Sequence, residues 1–316
     1  MLLDFALIFI GIALLVWSAD RFTDGASAVA RNFGVRPLIV GLTIVAIGSS
    51  APEIFVSVTA SLSGSAGLAV GNAIGSNIAN MALVLGVTAM IVPLEINSNV
   101  LRREFPILFA VCFIAGFAMW DQFLSFIDGV VLITGMFFYL FWIVRTGIRE
   151  QKDDRMLEEL VEELPEQMPN KNAFFWVAVG LVLLPLSSQI LVNGATGVAN
   201  YFGVSEYVIG LTIIALGTSL PELAASIASV LKGEHELAIG NVLGSNIFNL
   251  LVVLGLAGLI QPIAFDSSVL YKEYVLMMIL TVVMFLMAYG FKGPGRINRI
   301  EGIILTAVYV IFLFSQ

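Results

Sequence analysis

The chain of 316 residues is 59% hydrophobic, and only 12% of its residues are charged. Soluble globular domains are about 45–50% apolar and about 25% charged, so an ordinary soluble domain is excluded. One cysteine excludes a disulfide scaffold, and a net charge of −8 argues against nucleic acid as a partner. The composition predicts an all-α polytopic membrane protein, because the apolar runs are far longer than the ~10-residue alternating strands of a membrane barrel.

Apolar runs long enough to cross a bilayer recur along the whole chain, since about 20 apolar residues span a hydrocarbon core of ~30 Å. No basic segment precedes the first run, so we interpret it as a spanning helix rather than a cleaved signal peptide. One long polar stretch, with eight acidic residues between positions 150 and 166, separates five runs from five more. The predicted spans lie near residues 4–30, 36–62, 67–92, 104–120, 126–146, 173–199, 206–231, 237–261, 272–291 and 298–315.

The polar stretch divides the chain into three predicted regions. Residues 1–147 form an N-terminal five-helix repeat, residues 148–171 form an acidic cytoplasmic loop, and residues 172–316 form a C-terminal five-helix repeat. The loop lacks the ligand spacing of an EF-hand, so we interpret it as a solvated connector rather than a calcium sensor.

Basic residues predict the orientation, because cytoplasmic loops of membrane proteins are enriched in lysine and arginine. If the N-terminus is outside, the outside loops contain only Lys272, and Arg21 lies within the first span. This asymmetry predicts that both termini are outside and that the central loop is cytoplasmic. The predicted cytoplasmic basic residues are Arg31, Arg36, Arg102, Arg103, Arg145, Arg149, Lys152, Arg155, Lys171, Lys232, Lys292, Arg296 and Arg299.

The chain contains an internal repeat at an offset of 169 residues. Residues 25–93 align with residues 194–262 without a gap, and 33 of the 69 positions are identical. The principal motifs of the two copies lie within 36–93 and 205–262. Each half has five predicted spans, an odd number, so the second half enters the membrane from the opposite side. Inverted repeats of this kind are typical of secondary transporters.

Two glutamates, Glu53 and Glu222, fall near the centres of predicted spans two and seven and are related by the repeat. A carboxylate at that depth costs on the order of 3 kcal/mol or more unless it is paired, protonated or bound to a cation. No lysine or arginine lies in the central part of these spans to form an ion pair. We therefore interpret both glutamates as cation ligands.

A proline, Pro52 or Pro221, directly precedes each glutamate. Proline lacks an N–H and clashes with the carbonyl one turn earlier, so we expect the helix to break there. The break should free backbone carbonyls near Ala46–Ser49 and Ala215–Thr218. Irregular backbone is tolerated at membrane depth only where it is buried in protein or lines a wet cavity. These segments therefore predict a cation site built from oxygen ligands.

Spans three and eight add hydroxyl and amide oxygens in the repeated motif GN-x-x-GSN-x-x-N. Ser76 and Asn80 are four residues apart and share one helical face, as do Ser245 and Asn249. We interpret these four residues as ligands. For the first asparagine of each motif, an interhelical hydrogen bond is an equally good interpretation.

All these candidate ligands are oxygen atoms, which suit hard cations better than soft metals. Two carboxylates balance one Ca2+, whose roughly six to eight ligands tolerate irregular geometry, whereas Mg2+ prefers a strict octahedron. The same oxygens could instead hold several Na+ ions. Competition between Ca2+ and Na+ for one site predicts an exchange mechanism that needs no cofactor.

With these motifs the chain resembles the Ca2+/cation antiporter superfamily, specifically its prokaryotic Na+/Ca2+ exchanger-like members, over essentially its whole length. The resemblance rests on the paired motifs G-[ST]-S-x-P-E and GN-x-x-GSN-x-x-N. It implies two inverted five-helix halves, in which spans two, three, seven and eight form a core and spans one and six slide across it. It also implies a prokaryotic inner membrane.

The resemblance also implies a role for each matching residue. Glu53 and Glu222 would bind Ca2+ together with the backbone carbonyls of Ser49 and Thr218. The implied Na+ sites use both glutamates and, in addition, Ser50, Ser76, Asn80, Ser219, Ser245, Asn249 and the carbonyls of Ala46 and Ala215.

Two positions depart from the family pattern. Asn249 stands where some members, including K+-dependent exchangers, carry aspartate, and the loss of that acid argues against K+ cotransport. Ser49 replaces the usual threonine but keeps the hydroxyl and the carbonyl. Proton-coupled relatives more often carry Gly-Asn-x-x-Glu in place of the proline–glutamate motif, so this chain favours Na+ coupling.

The main prediction is a secondary antiporter that exchanges Ca2+ for Na+ and is not an enzyme, and Ca2+/H+ exchange through protonation of the glutamates is the nearest alternative. A cation channel would need a continuous water path, and broken helices around a midplane site favour alternating access instead. An intramembrane enzyme would need a nucleophile or catalytic histidine beside the glutamates. The expected partners are Ca2+, Na+ and membrane lipid, without nucleic acid or an obligate protein partner.

Overall fold

The computed structural model describes residues 2–35, 37–40, 43–44, 46–96, 99–150, 161–162, 164, 168–289 and 295–316. The described chain is mostly helical. Most of the acidic loop predicted at 148–171 lies outside these residues, so its role as a connector stays a prediction. Several of the predicted cytoplasmic basic residues also lie outside them, namely Arg36, Lys152, Arg155 and Lys292.

Helices lie close to each predicted span, and we number them α1–α10 in chain order. Helix α2 is described in three pieces, Pro37–Val40, Ala46–Ser49 and Ala51–Leu62. The remaining helices are α1 (Leu2–Asn32), α3 (Ala66–Ile91), α4 (Asn99–Ala118), α5 (Phe126–Glu150), α6 (Asn170–Phe202), α7 (Glu206–Lys232), α8 (His235–Ile260), α9 (Val269–Tyr289) and α10 (Arg299–Phe314).

Seven of the described helices, α1, α3 and α5–α9, are long and apolar enough to cross a membrane. Shorter apolar helices occupy predicted spans two, four and ten, at Ala51–Leu62, Glu104–Ala118 and Arg299–Phe314. Large apolar side chains point outward, among them Phe117 and Phe138, which are 82% and 70% exposed. Because such a surface is unfavourable in water, it suits the lipid environment of an integral membrane protein.

Four short strands, which the prediction of an all-α protein did not include, accompany the helices of this mostly helical chain. Strand β1 (Leu94–Ile96) pairs antiparallel with β4 (Gly295–Ile297), and β2 (Phe123–Leu124) pairs antiparallel with β3 (Ile263–Ala264). Strands of two or three residues have too little sequence to show a period, and they form because tertiary packing brings two loops together. Both pairs join loops that are distant in sequence.

Helices α3 and α8 are the most buried of the membrane-length helices, with 78% and 72% of their most apolar segments buried. Each contains a π-helical turn, Asn80–Val84 in α3 and Asn249–Val253 in α8, and the 169-residue offset relates the two turns. Turns of this kind often occur at functional sites. The two π-helical turns therefore mark equivalent positions of the two repeats as a candidate functional site.

Helices α1 and α6 pack along each other beside this core. A Cβ atom on Gly11 would lie 2.8 Å from the backbone of Leu191, so only glycine allows this approach. The rings of Trp17 and Trp176 meet edge to face at a centroid distance of 5.9 Å. Helix α6 also contacts the Ala51–Leu62 piece of α2, which connects the pair to the core.

Candidate cation-binding site

The breaks in α2 and α7 occur at Ser50 and Ser219. Their backbone torsion angles (φ −90°, ψ 9° and φ −84°, ψ 1°) interrupt each helix for one residue. The predicted helix breaks are therefore present, and each lies two residues before the proline, Pro52 or Pro221. The reason is that proline is tolerated in the first turn of a helix, where its missing N–H has no partner to lose, so the new helix begins before it.

The carbonyl of Ala215, predicted to be free, is engaged inside its own helix. It accepts the Ser219 amide at 3.1 Å, because residue 219 has an N–H and continues the helical ladder, and it lies 3.4 Å from the Thr218 hydroxyl oxygen. In the other half, the Ser49 hydroxyl donates to the carbonyl of Ala46 at 3.1 Å. The breaks therefore free less backbone than the sequence predicts.

Glu53 and Glu222 lie in the first turns of the helix pieces that follow the breaks, and both are fully buried. Ser245 of α8 donates to one oxygen of Glu222 at 3.4 Å, whereas neither carboxylate oxygen of Glu53 accepts a hydrogen bond from the described residues. Within the described chain no lysine or arginine forms an ion pair with either glutamate. A buried carboxylate in such surroundings is stable only if it takes up a cation or a proton.

Polar side chains of α3 reach across to α7 beside the glutamates. Thr218 donates to Oδ1 of Asn72 at 3.2 Å, and the hydroxyls of Ser76 and Thr218 are 3.4 Å apart. Nδ2 of Asn72 donates to the backbone carbonyl of Glu53 at 3.5 Å. The structure thus brings together Ser76 and Thr218, which come from different halves of the sequence, and it gives Asn72 an interhelical hydrogen-bonding role.

Two asparagines that the sequence analysis missed connect α3 with α8. Nδ2 of Asn80 donates to Oδ1 of Asn246 at 3.2 Å, and Nδ2 of Asn249 donates to Oδ1 of Asn77 at 3.1 Å. All four side chains are buried. A signal for them was present, because Asn77 and Asn246 end the GSN segment of the motif in both repeats.

Hydrogen bonds among the described residues leave several buried oxygens at this site without a partner. Each such oxygen costs about 1–3 kcal/mol, and a bound cation would offset that cost. No cluster of three or more acidic, histidine or cysteine side chains forms within the described chain, so a cation here would also need hydroxyl and amide ligands. Residues with such an oxygen are Ser50, Glu53, Asn80, Ser219, Glu222 and Asn249.

The described fold and its buried, oxygen-rich centre define an integral membrane protein suited to hard cations. The family model for the sodium/calcium exchanger protein matches residues 3–145 and 172–316. The chain belongs to this family. The resemblance to prokaryotic exchanger-like members of the Ca2+/cation antiporter superfamily is thereby confirmed.

Relatives match the chain over nearly its full length. CaxA of Alkalimonas amylolytica is 46% identical over 98% of this chain and 97% of its own length. Inner membrane protein YrbG of Escherichia coli (strain K12) is 41% identical over 99% of this chain and 96% of its own length. A solved structure of the sodium–calcium exchanger NCX_Mj, soaked with Na+ and Sr2+, has a TM-score of 0.65 and 32% identity, and the match covers 100% of this chain and 99% of that one.

Proposed function

We propose that this protein is a secondary antiporter that exchanges Ca2+ for Na+ across a prokaryotic inner membrane by alternating access. The observation that carries the proposal is the pair of fully buried glutamates, Glu53 and Glu222, with no cationic partner among the described residues. Two carboxylates balance the charge of one Ca2+. The name of the structural relative NCX_Mj, a sodium–calcium exchanger, agrees with this substrate pair.

The proposed architecture is ten spans in two inverted five-helix repeats, with both termini outside. The strand pairs support the part of this count that covers spans four to nine. Strands β1 and β4 lie in loops predicted to be cytoplasmic, and β2 and β3 lie in loops predicted to be outside. Removing any one of spans four to nine would put β1 and β4 on opposite sides of the membrane, and removing any one of spans five to eight would separate β2 and β3 as well.

In this mechanism Ca2+ binds the carboxylates of Glu53 and Glu222 with the carbonyls of Ser49 and Thr218. Na+ ions use the same carboxylates and the flanking hydroxyl, amide and carbonyl oxygens, so the two ions compete. Either ion neutralises the centre, whereas the empty centre with two charges crosses the membrane barrier poorly. Helices α1 and α6 then move against the core to change the side from which the site is reached.

Flux measurements in liposomes test the proposal. Purified protein is reconstituted with internal Na+, and uptake of radioactive Ca2+ is followed after dilution into Na+-free buffer, with and without an ionophore that removes the pH gradient. Uptake should need the Na+ gradient and survive the ionophore. Glu53→Gln and Glu222→Gln should each lower uptake by at least about a hundredfold, because one carboxylate cannot balance Ca2+.

The control is Glu95→Gln, which changes an exposed glutamate on β1 and should leave uptake unchanged. Uptake that ignores Na+ but follows the pH gradient would replace the proposal with Ca2+/H+ exchange, in which protons neutralise the same two glutamates. Full uptake in either site variant would remove the glutamates from the transport site.

A further inference from the structure

The hydrogen bonds between α3 and α8 are reciprocal. Each helix accepts a hydrogen bond from the proposed Na+ ligand of the other helix, which is Asn80 in α3 and Asn249 in α8. Asn246 of α8 accepts the amide of Asn80, and Asn77 of α3 accepts the amide of Asn249. Asn77 is itself fixed, since its Nδ2 lies 3.3 Å from the backbone carbonyl oxygen of Asn246 and 3.5 Å from Sδ of Met277. We call these four asparagines the amide bridge.

The bridge decides which end of each site asparagine is available. A carboxamide has one donor end and one acceptor end, and the bridge engages the donor ends of Asn80 and Asn249. Their Oδ1 atoms are buried and accept no hydrogen bond from the described residues. Without the bridge, either carboxamide could rotate about its last torsion angle and present Nδ2, whose hydrogens repel a cation.

We propose that Asn77 and Asn246 are positioning residues that orient Asn249 and Asn80 so that oxygen rather than nitrogen faces the transported ion. The proposal rests on the proposed function, because it takes Asn80 and Asn249 as Na+ ligands. It also accounts for the amide at position 249. A carboxylate there has no hydrogen to donate to Asn77, and two acceptor oxygens so close together would repel each other.

Double-mutant cycles in liposomes test the bridge. The measured quantity is the Na+ concentration that gives half-maximal Na+-driven release of radioactive Ca2+. Asn77→Ala should raise this concentration about tenfold, as Asn249→Ala should, because both lose the oriented oxygen. The double variant should be no worse than Asn249→Ala alone. Asn249→Ala combined with Asn80→Ala joins residues of different pairs whose hydrogen bonds share no partner, so those effects should multiply.

The second pair, Asn246 and Asn80, should behave in the same way. The KM for Ca2+ should change less than about threefold in Asn77→Ala and Asn246→Ala, because both glutamates remain to bind Ca2+. Asn200→Ala, an exposed asparagine on α6, is the control and should match wild type in all readouts. Thermal unfolding of each purified variant distinguishes a change in ligand orientation from a loss of fold.

Two results would overturn the bridge. One is that the effects of Asn77→Ala and Asn249→Ala on the half-maximal Na+ concentration multiply in the double variant. The other is an equal rise of the Na+ and Ca2+ half-maximal concentrations together with a lower unfolding temperature, which would indicate a purely structural role. If wild-type flux does not depend on Na+, the proposed function fails, and the bridge fails with it because it takes Asn80 and Asn249 as Na+ ligands. Wild-type flux alone distinguishes this result from the two above.

Discussion

The two repeats share their motifs but differ in their surroundings. Before the break in α2, Ala46 and Ser49 are partly exposed, and Ala51 after it is buried. In α7 the order is reversed, since Thr218 before the break is buried and Leu220 after it is 44% exposed. Similar sequences therefore give similar helices, while the packing of neighbouring helices decides which part of each helix is covered.

The neighbours of α2 and α7 account for the difference. Helix α6 covers the Ala51–Leu62 piece of α2, where the hydroxyls of Thr59 and Ser188 are 2.6 Å apart. The repeat places alanines, Ala228 and Ala19, at the equivalent positions, and Ala228 is exposed. In the proposed orientation the exposed parts of α2 and α7 both lie toward the cytoplasm, as expected of one state of alternating access.

Substitution of two equivalent glycines, Gly75 and Gly244, should produce the largest difference in stability between the repeats. A Cβ on Gly75 would lie 2.3 Å from the carbonyl oxygen of Leu211, whereas one on Gly244 would meet no described atom within 4 Å. Gly75→Ala should destabilise the protein by about 1–3 kcal/mol through overpacking and abolish exchange. Gly244→Ala should keep or raise the unfolding temperature, because alanine is favoured over glycine in a helix by about 0.5–1 kcal/mol. Thermal unfolding in detergent measures both.

The same glycines test whether the repeats exchange surroundings during transport. If Gly244 contacts α2 in the opposite state as Gly75 contacts α7 here, Gly244→Ala will preserve stability and Ca2+ binding but slow exchange. Exchange at the wild-type rate in Gly244→Ala would contradict this reciprocal packing. Wild-type stability in Gly75→Ala would contradict the close contact between α3 and α7.

The first asparagine of each GN motif should show the next largest difference. Asn72 is fully buried and accepts the Thr218 hydroxyl, whereas Asn241 is partly buried and its Nδ2 donates to no described residue. Loss of a buried acceptor costs about 1–3 kcal/mol. Asn72→Ala should raise the Ca2+ concentration for half-maximal uptake roughly tenfold, and Asn241→Ala less than about threefold. Equal effects of the two substitutions would mean that Asn72 and Asn241 contribute equally to Ca2+ binding over the transport cycle.

Sequence reasoning predicted the helices well because few alternatives exist for long apolar runs in a membrane. The runs at 126–146 and 206–231 lie within a few residues of α5 and α7, since every backbone group in lipid must be paired within its own segment. The opposite exposure of Ser49 and Thr218 could not be predicted in this way. Nearly identical motifs surround these two residues, and the difference arises from α1 and α6.

At the site, the carboxylates were predictable because an unpaired charge at membrane depth needs an explanation. The bridging role of Asn77 and Asn246 was not predictable, since it depends on which α8 side chain faces which α3 side chain. Periodicity places residues on a face of their own helix but does not identify the partner across the interface. The exact helix breaks were missed for a related reason, because the pattern locates the proline but not the residue that absorbs the turn.

Removing the hydrogen bond between the hydroxyls of Thr59 and Ser188, which only one repeat has, should produce the smallest effect. A net hydrogen bond contributes about 0.5–1.5 kcal/mol, which corresponds to a population shift of up to about tenfold. Thr59→Val and Ser188→Ala should each weaken the contact of α6 with α2 and favour the state in which α1 covers α7. A cysteine at Leu220 in a Cys112→Ala background, which removes the chain's one cysteine, should then react with a membrane-impermeant maleimide about three- to tenfold more slowly.

Because both substitutions remove the same hydrogen bond, the double variant should label no more slowly than either single variant. Ala19→Ser combined with Ala228→Thr would supply a matching pair between α1 and α7, and it should slow labelling as well by stabilising the opposite state. Valine keeps the shape of threonine, so slower labelling in Thr59→Val cannot be attributed to a packing defect. If labelling is unchanged in all these variants, the hydroxyls do not hold α6 against α2, and the difference between the repeats depends on apolar packing alone.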